Sequence, residues 1–321
     1  MQNDGAAHAT RRPDPATSIL QAAGYTFLFR VHLDQSPHAS LTHLCPYPHL
    51  VNLWQIQDRT SRGSPVVTSH SQHKMKPSVL IVPGAWQLPS AFQPFATELA
   101  GSDFNASIVA LPTVGGTTTP LATLSDDVAA VRTELDKLVA DGKEIVIYSH
   151  SYGGVVASNA VEGYDIATRS AAGASGGVVS IVYASAFMLP KGSSLLDLLG
   201  GEPLPWMIIE GDRVVGNATL LPEVGFNDLP ASEQEKWASE MTWTALGAFT
   251  NASGYEPWSN GIDCAYLYAT LDNSLPLSYQ QGMSAVLPAG SKTETEPSGH
   301  CAHLSRPANV TSILSRWYPG N

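Results

Sequence analysis

In the run Ser149-His150-Ser151-Tyr152-Gly153-Gly154, Ser151 is flanked two positions to either side by small residues, Ser149 and Gly153. The segment Glu144 to Tyr148 ahead of it is β-branched and apolar, as a strand buried on both faces is, and Val155 to Val161 behind it reads as helix. A strand that becomes a helix within so few residues is the pattern of a nucleophile elbow, whose strained turn exposes a hydroxyl and aims a helix N-terminus at it. A bulky side chain at either flanking position would collide with the neighbouring strand or helix, so the first tolerates serine and the second expects glycine. The chemistry open to such a hydroxyl is attack on a carbonyl. It requires a base, a carboxylate to orient that base, and hydrogen-bond donors for the oxyanion.

Seven of the ten histidines fall in the first 74 residues, leaving His150, His300 and His303 as bases. His150 adjoins the serine in the turn, so its side chain is expected to point away into a structural hydrogen bond. His300 lies in "EPSGHCAHLSRP", where Ser-Gly frees the backbone to bring an imidazole over the strand ends. It is preferred to His303, which reads as a helix-entry residue. Asp272 follows the apolar run Ala265 to Leu271 and falls between Ser151 and His300, the order Ser, Asp, His that a nucleophile elbow calls for. Asp263 precedes that run, at its wrong end. Asp272 also suits an Asx turn opening "DNSLP", and a carboxylate there can do both jobs. The oxyanion donors are expected to be the backbone amides of Tyr152, directly after the serine, and of Ala85 in "VPGAW", where Gly84 keeps the approach open.

These residues need a scaffold that brings several strand ends together. From residue 75 onward, apolar runs at 79–82, 106–111, 144–148, 177–187 and 264–271 alternate with helical spacing, including "LSDDVAAVRTELDKLVADG" with Ser125 as its N-cap and Gly142 as its stop. That alternation predicts an α/β fold with a mostly parallel central sheet and helices on both faces, binding its ligand at the carboxyl ends of the strands. Residues 188–262 break the alternation and read as a helical cap inserted after the sixth strand. Trp206, Trp243, Trp258 and Met188 in that segment, with Trp86 and Phe187, are the candidates for an apolar substrate pocket.

The chain has 321 residues, 43% of them hydrophobic, and a net charge of -11, which suits a catalytic-size domain and argues against nucleic acid as a partner. Cys45, Cys264 and Cys301 make neither a disulfide framework nor a zinc site, so no metal is expected. No dinucleotide-binding glycine pattern appears, so no cofactor is expected either. Residues 1–74 lack sustained periodicity and read as an extension, disordered or a gene-model leader, with Met75 as the expected start of the domain at 75–321. The apolar run "YTFLFRVHL" is too short to span a bilayer and no secretory cleavage site follows it, so a cytoplasmic location is expected.

The segments "LIVPGAW", "LPTVGG", "YSHSYGGVVASNAV", "VYASAFMLPKGSSLLDLLGG", "LYATLDNSLPLSYQ" and "SGHCAHLSRP" resemble the α/β-hydrolase superfamily, in particular small fungal and bacterial hydrolases related to plant methylesterases and hydroxynitrile lyases. The resemblance covers Met75 to about Tyr318. It implies the α/β-hydrolase fold, with Ser151 as nucleophile, Asp272 as acid, His300 as base and Ala85 with Tyr152 as oxyanion donors, the same residues reached above. Pro83 stands where relatives often carry histidine. Cys301 replaces the lysine that follows the catalytic histidine in the plant lyases, which disfavours lyase chemistry, and a serine nucleophile excludes the aspartate mechanism of epoxide hydrolases. The expectation is a serine hydrolase of a small apolar ester or lactone. The alternative is a non-hydrolytic small-molecule binding protein or a lyase on the same fold.

Overall fold

The computed structural model describes residues 17–22, 25–30 and 76–320. The first two segments pair as an antiparallel hairpin, β1 (Thr17–Ala22) with β2 (Tyr25–Arg30). The remainder of the extension lies outside the described residues, and with it most of what the sequence predicts for residues 1–74.

In the unit His73–Asn321, six strands form one sheet: β3 (Ser78–Val82), β4 (Ala106–Ile108), β5 (Glu144–His150), β6 (Gly177–Ala184), β10 (Cys264–Ala269) and β11 (Thr293–Glu296). Their spatial order is β11-β10-β6-β5-β3-β4, and every pair is parallel. β4 is added on one side of β3 and β5 on the other, so the chain reverses direction at the β3/β5 junction. A crevice opens at such a reversal outside the carboxyl ends of the strands. Two elements fall short of or outside the sequence expectation: β4 ends at Ile108 rather than Leu111, and "TETE", too polar to signal a strand, becomes edge strand β11.

Period-2 alternation splits each inner strand between two cores. Leu80, Val82, Ile145 and Ile147 face one cluster with Val155 and Val156, whereas Val79, Ile81, Val146 and Tyr148 face the other with Phe92, Phe95 and Leu314. Helices α1 (Gln93–Ala100) and Pro307–Trp317 cover the second face, and α2 (Leu124–Ala140) and α3 (Gly153–Ala160) cover the first. The N-cap of α2 is Thr123, not Ser125. Its amide donates to Asp126 Oδ2 at 2.8 Å, because an acid three residues after the cap is placed to reach back to it.

The insertion follows β6, the sixth strand of the described chain and the fourth of the central sheet. It is not wholly helical. Helices Leu195–Leu198, Leu221–Phe226, Ala231–Ser239 and Gly247–Thr250 accompany an antiparallel sheet of β7 (Met207–Glu210), β8 (Arg213–Gly216) and β9 (Thr244–Ala245). Strands of two to four residues are too short for alternation to register in sequence. Among the described residues no helix is long and apolar enough to cross a membrane.

Candidate active site

Four strand ends of the central sheet deliver the candidate residues: β3 the segment Pro83 to Trp86, β5 Ser151, β10 Asp272, and β11 the loop with His300. Ser151 has φ +53, a left-handed conformation costly for a residue with a Cβ and typical of a site whose surroundings enforce it. What enforces it is close packing on both sides. A methyl group on Gly153 would stand 2.3 Å from the Val82 carbonyl oxygen, and one on Gly84 2.9 Å from Ser151 Cβ. Ser149 fits because its hydroxyl donates to the Val182 carbonyl at 2.9 Å. The Ser151 carbonyl accepts from Gly154 and Phe187 amides at 3.0 Å each, fixing the turn to α3 and to the end of β6.

His300 and Asp272 form an ion-pair-type contact, Nδ1 to Oδ2 at 2.8 Å, both largely withdrawn from solvent. With the carboxylate accepting, Nδ1 carries a proton, which in the neutral imidazole leaves Nε2 as the bare nitrogen. Asp272 is held from behind: its Oδ1 accepts from the Ser274 and Leu275 amides at 2.8 Å each, so the Asx turn and the contact to His300 coexist. Fully buried Gln280 braces that turn, bonding both Ala269 backbone groups and donating to the Leu275 carbonyl at 2.7 Å. Ser151, His300, Ala85, Trp86, Tyr152, Phe187 and Trp206 border one narrow cavity, whose wall also includes Leu195, Leu199, Phe249 and Leu275. No charged side chain borders it apart from the titratable His300. The rings of Trp206 and Phe249 pack on Trp86 at 5.1 and 5.2 Å.

Trp243 is not among these. It borders a separate groove in the insertion with Leu221, Pro222 and Glu235, and the Arg213 guanidinium lies 4.1 Å over its ring. Adjacent residues of an extended segment point to opposite faces, and Thr244 is the one turned inward. Its hydroxyl accepts from the Trp86 amide at 2.7 Å, while the Trp86 carbonyl accepts from Thr242 N at 2.9 Å and Trp86 Nε1 donates to the Val214 carbonyl at 2.9 Å. Trp86 has φ +65, so the loop that carries Ala85 is clamped in a strained conformation by the small sheet of the insertion. Trp258 and Met188 are buried elsewhere, Trp258 against the Tyr183 ring at 6.3 Å.

Two further arrangements escape sequence reading. Asp127 of α2, without exposure, accepts from Thr113 N, Thr113 Oγ1 and the Tyr152 hydroxyl at 2.9, 2.7 and 2.8 Å. Behind His300 lie His150, Cys301 and His303, buried, with ligand-type atoms within 4.8 Å of one another. His150 Nε2 donates to the His300 carbonyl at 3.0 Å, the structural bond expected of it, and Phe92 stacks on His303 at 4.1 Å. Burial, reinforced by the neighbouring histidines, holds His150 well below the usual imidazole range, and burial with the charge of His300 takes His303 down to about 3. Both rings are therefore neutral and pack as uncharged groups around the His300 loop. Nothing in the local sequence announces either arrangement, since each joins residues distant in the chain.

The model of the alpha/beta hydrolase family matches residues 79–313. The chain is 26% identical over 245 residues to the alpha/beta hydrolase nvfD of Aspergillus novofumigatus, covering 75% of this chain and 96% of that one. Among solved structures it is similar to the pyrethroid hydrolase PytH, with a TM-score of 0.61 and 18% identity over 75% of this chain and 97% of that one. It is similar also to polyneuridine aldehyde esterase, at TM-score 0.61 and 16% identity over 75% of this chain and 99% of the other. At such identities the two structural likenesses speak for the fold alone.

Proposed function

The chain belongs to the alpha/beta hydrolase family, and from that membership we propose that it is a serine-dependent carboxylic ester hydrolase acting on a small apolar ester or lactone. The observation that carries this reading is the 2.8 Å contact of His300 Nδ1 with Asp272 Oδ2, with Ser151 and the imidazole bordering one uncharged, mostly apolar cavity. The fold neighbours named as an esterase and a pyrethroid hydrolase agree with it.

His300 Nε2 takes the Ser151 proton as the oxygen attacks the carbonyl carbon, and the oxyanion is stabilised by the amides of Ala85 and Tyr152. Asp272 holds the imidazole in the tautomer that leaves Nε2 free and stabilises the imidazolium that forms. The imidazolium protonates the leaving alcohol, and water deprotonated by the same nitrogen then hydrolyses the acyl-enzyme. The hydrocarbon wall contributes by excluding bulk water and by offering no partner to a charged substrate.

Turnover of a short-chain aryl ester by the full chain tests the roles. Ser151→Ala and His300→Gln are each expected to lower kcat by several orders of magnitude, and their combination by no more than the worse of the two, because the pair acts as a unit. Independent, multiplying losses contradict the shared mechanism.

A further inference from the structure

A second lobe opens from the same Ser151 and His300 and differs from the first in chemistry. Both share Ser151, Ser274 and His300; beyond these the first is walled mainly by hydrocarbon, whereas the second brings in Gln87, His150 and Cys301 beside Phe226 and Met241. Gln87 is 5% exposed, and its amide is only half used: Nε2 donates to Cys301 Sγ at 3.5 Å, and Oε1 is buried without a partner. Turning the amide over exchanges the ends, since the Cys301 thiol can donate to the oxygen, and leaves Nε2 orphaned instead. In either orientation one buried polar atom of Gln87 goes unsatisfied beside a lobe that borders the reacting centre, and buried polar groups in folded proteins find partners. A hydroxyl answers both orientations, because it donates and accepts.

The two lobes also differ in their relation to the reaction. Of the two amides assigned to the oxyanion, Ala85 borders both lobes and Tyr152 only the hydrocarbon lobe, whereas Cys301, next to the proton-delivering imidazole, borders only the Gln87 lobe. The group that receives the proton from His300, which borders both lobes, is the leaving oxygen, so with the Tyr152 amide on the hydrocarbon side the alcohol portion belongs beside Cys301 and Gln87. We propose that the substrate is an ester of an apolar acid whose alcohol portion bears a free hydroxyl, and that Gln87 is the specificity-determining residue that bonds it. This rests on the ester-hydrolase reading above. Hydrolysis consumes one water, breaks the acyl C–O bond and gives the apolar acid and a diol.

The test is a matched pair, 2-hydroxyethyl hexanoate and propyl hexanoate, which differ by a hydroxyl in place of a methyl. The full chain is expected to favour the hydroxy ester by roughly tenfold to a hundredfold in kcat/KM, against the hydrophobic preference of the rest of the cavity. Gln87→Met, of similar length without hydrogen-bonding groups, is expected to abolish or reverse the ratio, and Gln87→Glu, which keeps an acceptor, to retain part of it. A ratio near one in the wild type, or a preference that survives Gln87→Met, overturns the proposal. Calorimetric binding of the same two esters to Ser151→Ala reads the preference without chemistry. Selective binding of the hydroxy ester there, with no turnover by the wild type, keeps the Gln87 assignment and sinks the hydrolase reading. Equal binding there sinks the assignment whatever the turnover.

Discussion

Asp127 is a carboxyl group buried under three hydrogen bonds, and burial outweighs them, pushing it up to about 6 while the bonds from Thr113 and Tyr152 pull downward. The folded protein therefore holds this proton more tightly than the unfolded chain does. Its contribution to stability is full below the ordinary carboxylate value of 3.8, declines as pH rises from there to about 6, and is gone above. The span is worth about 3 kcal/mol. Urea unfolding at pH values on either side of this window is expected to show wild type losing stability relative to Asp127→Asn as pH rises; parallel curves contradict the assignment. Ser151 was legible at this scale because an elbow is local, five residues with a strand before and a helix after. Asp272 and His300 were legible through chain order and strand ends. Asp127, Gln280 and Thr244 were not, because a polar residue that reaches a site only through tertiary contact looks like any helix-start acid or loop threonine.

The helices and strands of the central sheet were readable from their period, and the misreadings cluster where elements are shortest: β11, and the strands of the insertion. That small sheet matters beyond coverage. A residue at φ +65 costs on the order of 1–3 kcal/mol and persists only where its neighbours over-determine it, as do the three hydrogen bonds that join Trp86 to Thr242, Thr244 and Val214. If Ala85 donates to the oxyanion, its placement depends on this clamp. Thr244→Val, which keeps the shape and removes the acceptor, is expected to lower kcat by about tenfold to a hundredfold with little change in KM, and Thr244→Ser to restore it. A change in KM alone assigns Thr244 to substrate binding instead. Gly153→Ala tests the elbow itself: with Val82 O at 2.3 Å from the added carbon, the turn must open, and the melting temperature is expected to fall together with activity.

Across the whole molecule, a chain of net charge -11 encloses a cavity without a cationic side chain fixed in it. A carboxylate entering it would be desolvated and unpaired, at a cost of several kcal/mol. A half-ester of a dicarboxylic acid is therefore expected to have a kcat/KM at least about a hundredfold below that of the corresponding neutral ester; equal rates contradict the uncharged site. The same property favours departure of the acid product once it ionises. Fold class followed from strand and helix alternation, because a parallel sheet covered on both faces imposes that pattern along the entire domain, whereas substrate identity depends on a few cavity atoms that no periodicity encodes. The central claim, an activated serine at the end of β5, is tested most directly by incubating the full chain with a fluorophosphonate and mapping the adduct by mass spectrometry. The account predicts a single modification on Ser151 that His300→Gln slows severely. Folded protein that stays unlabelled, or labels on another residue, contradicts it.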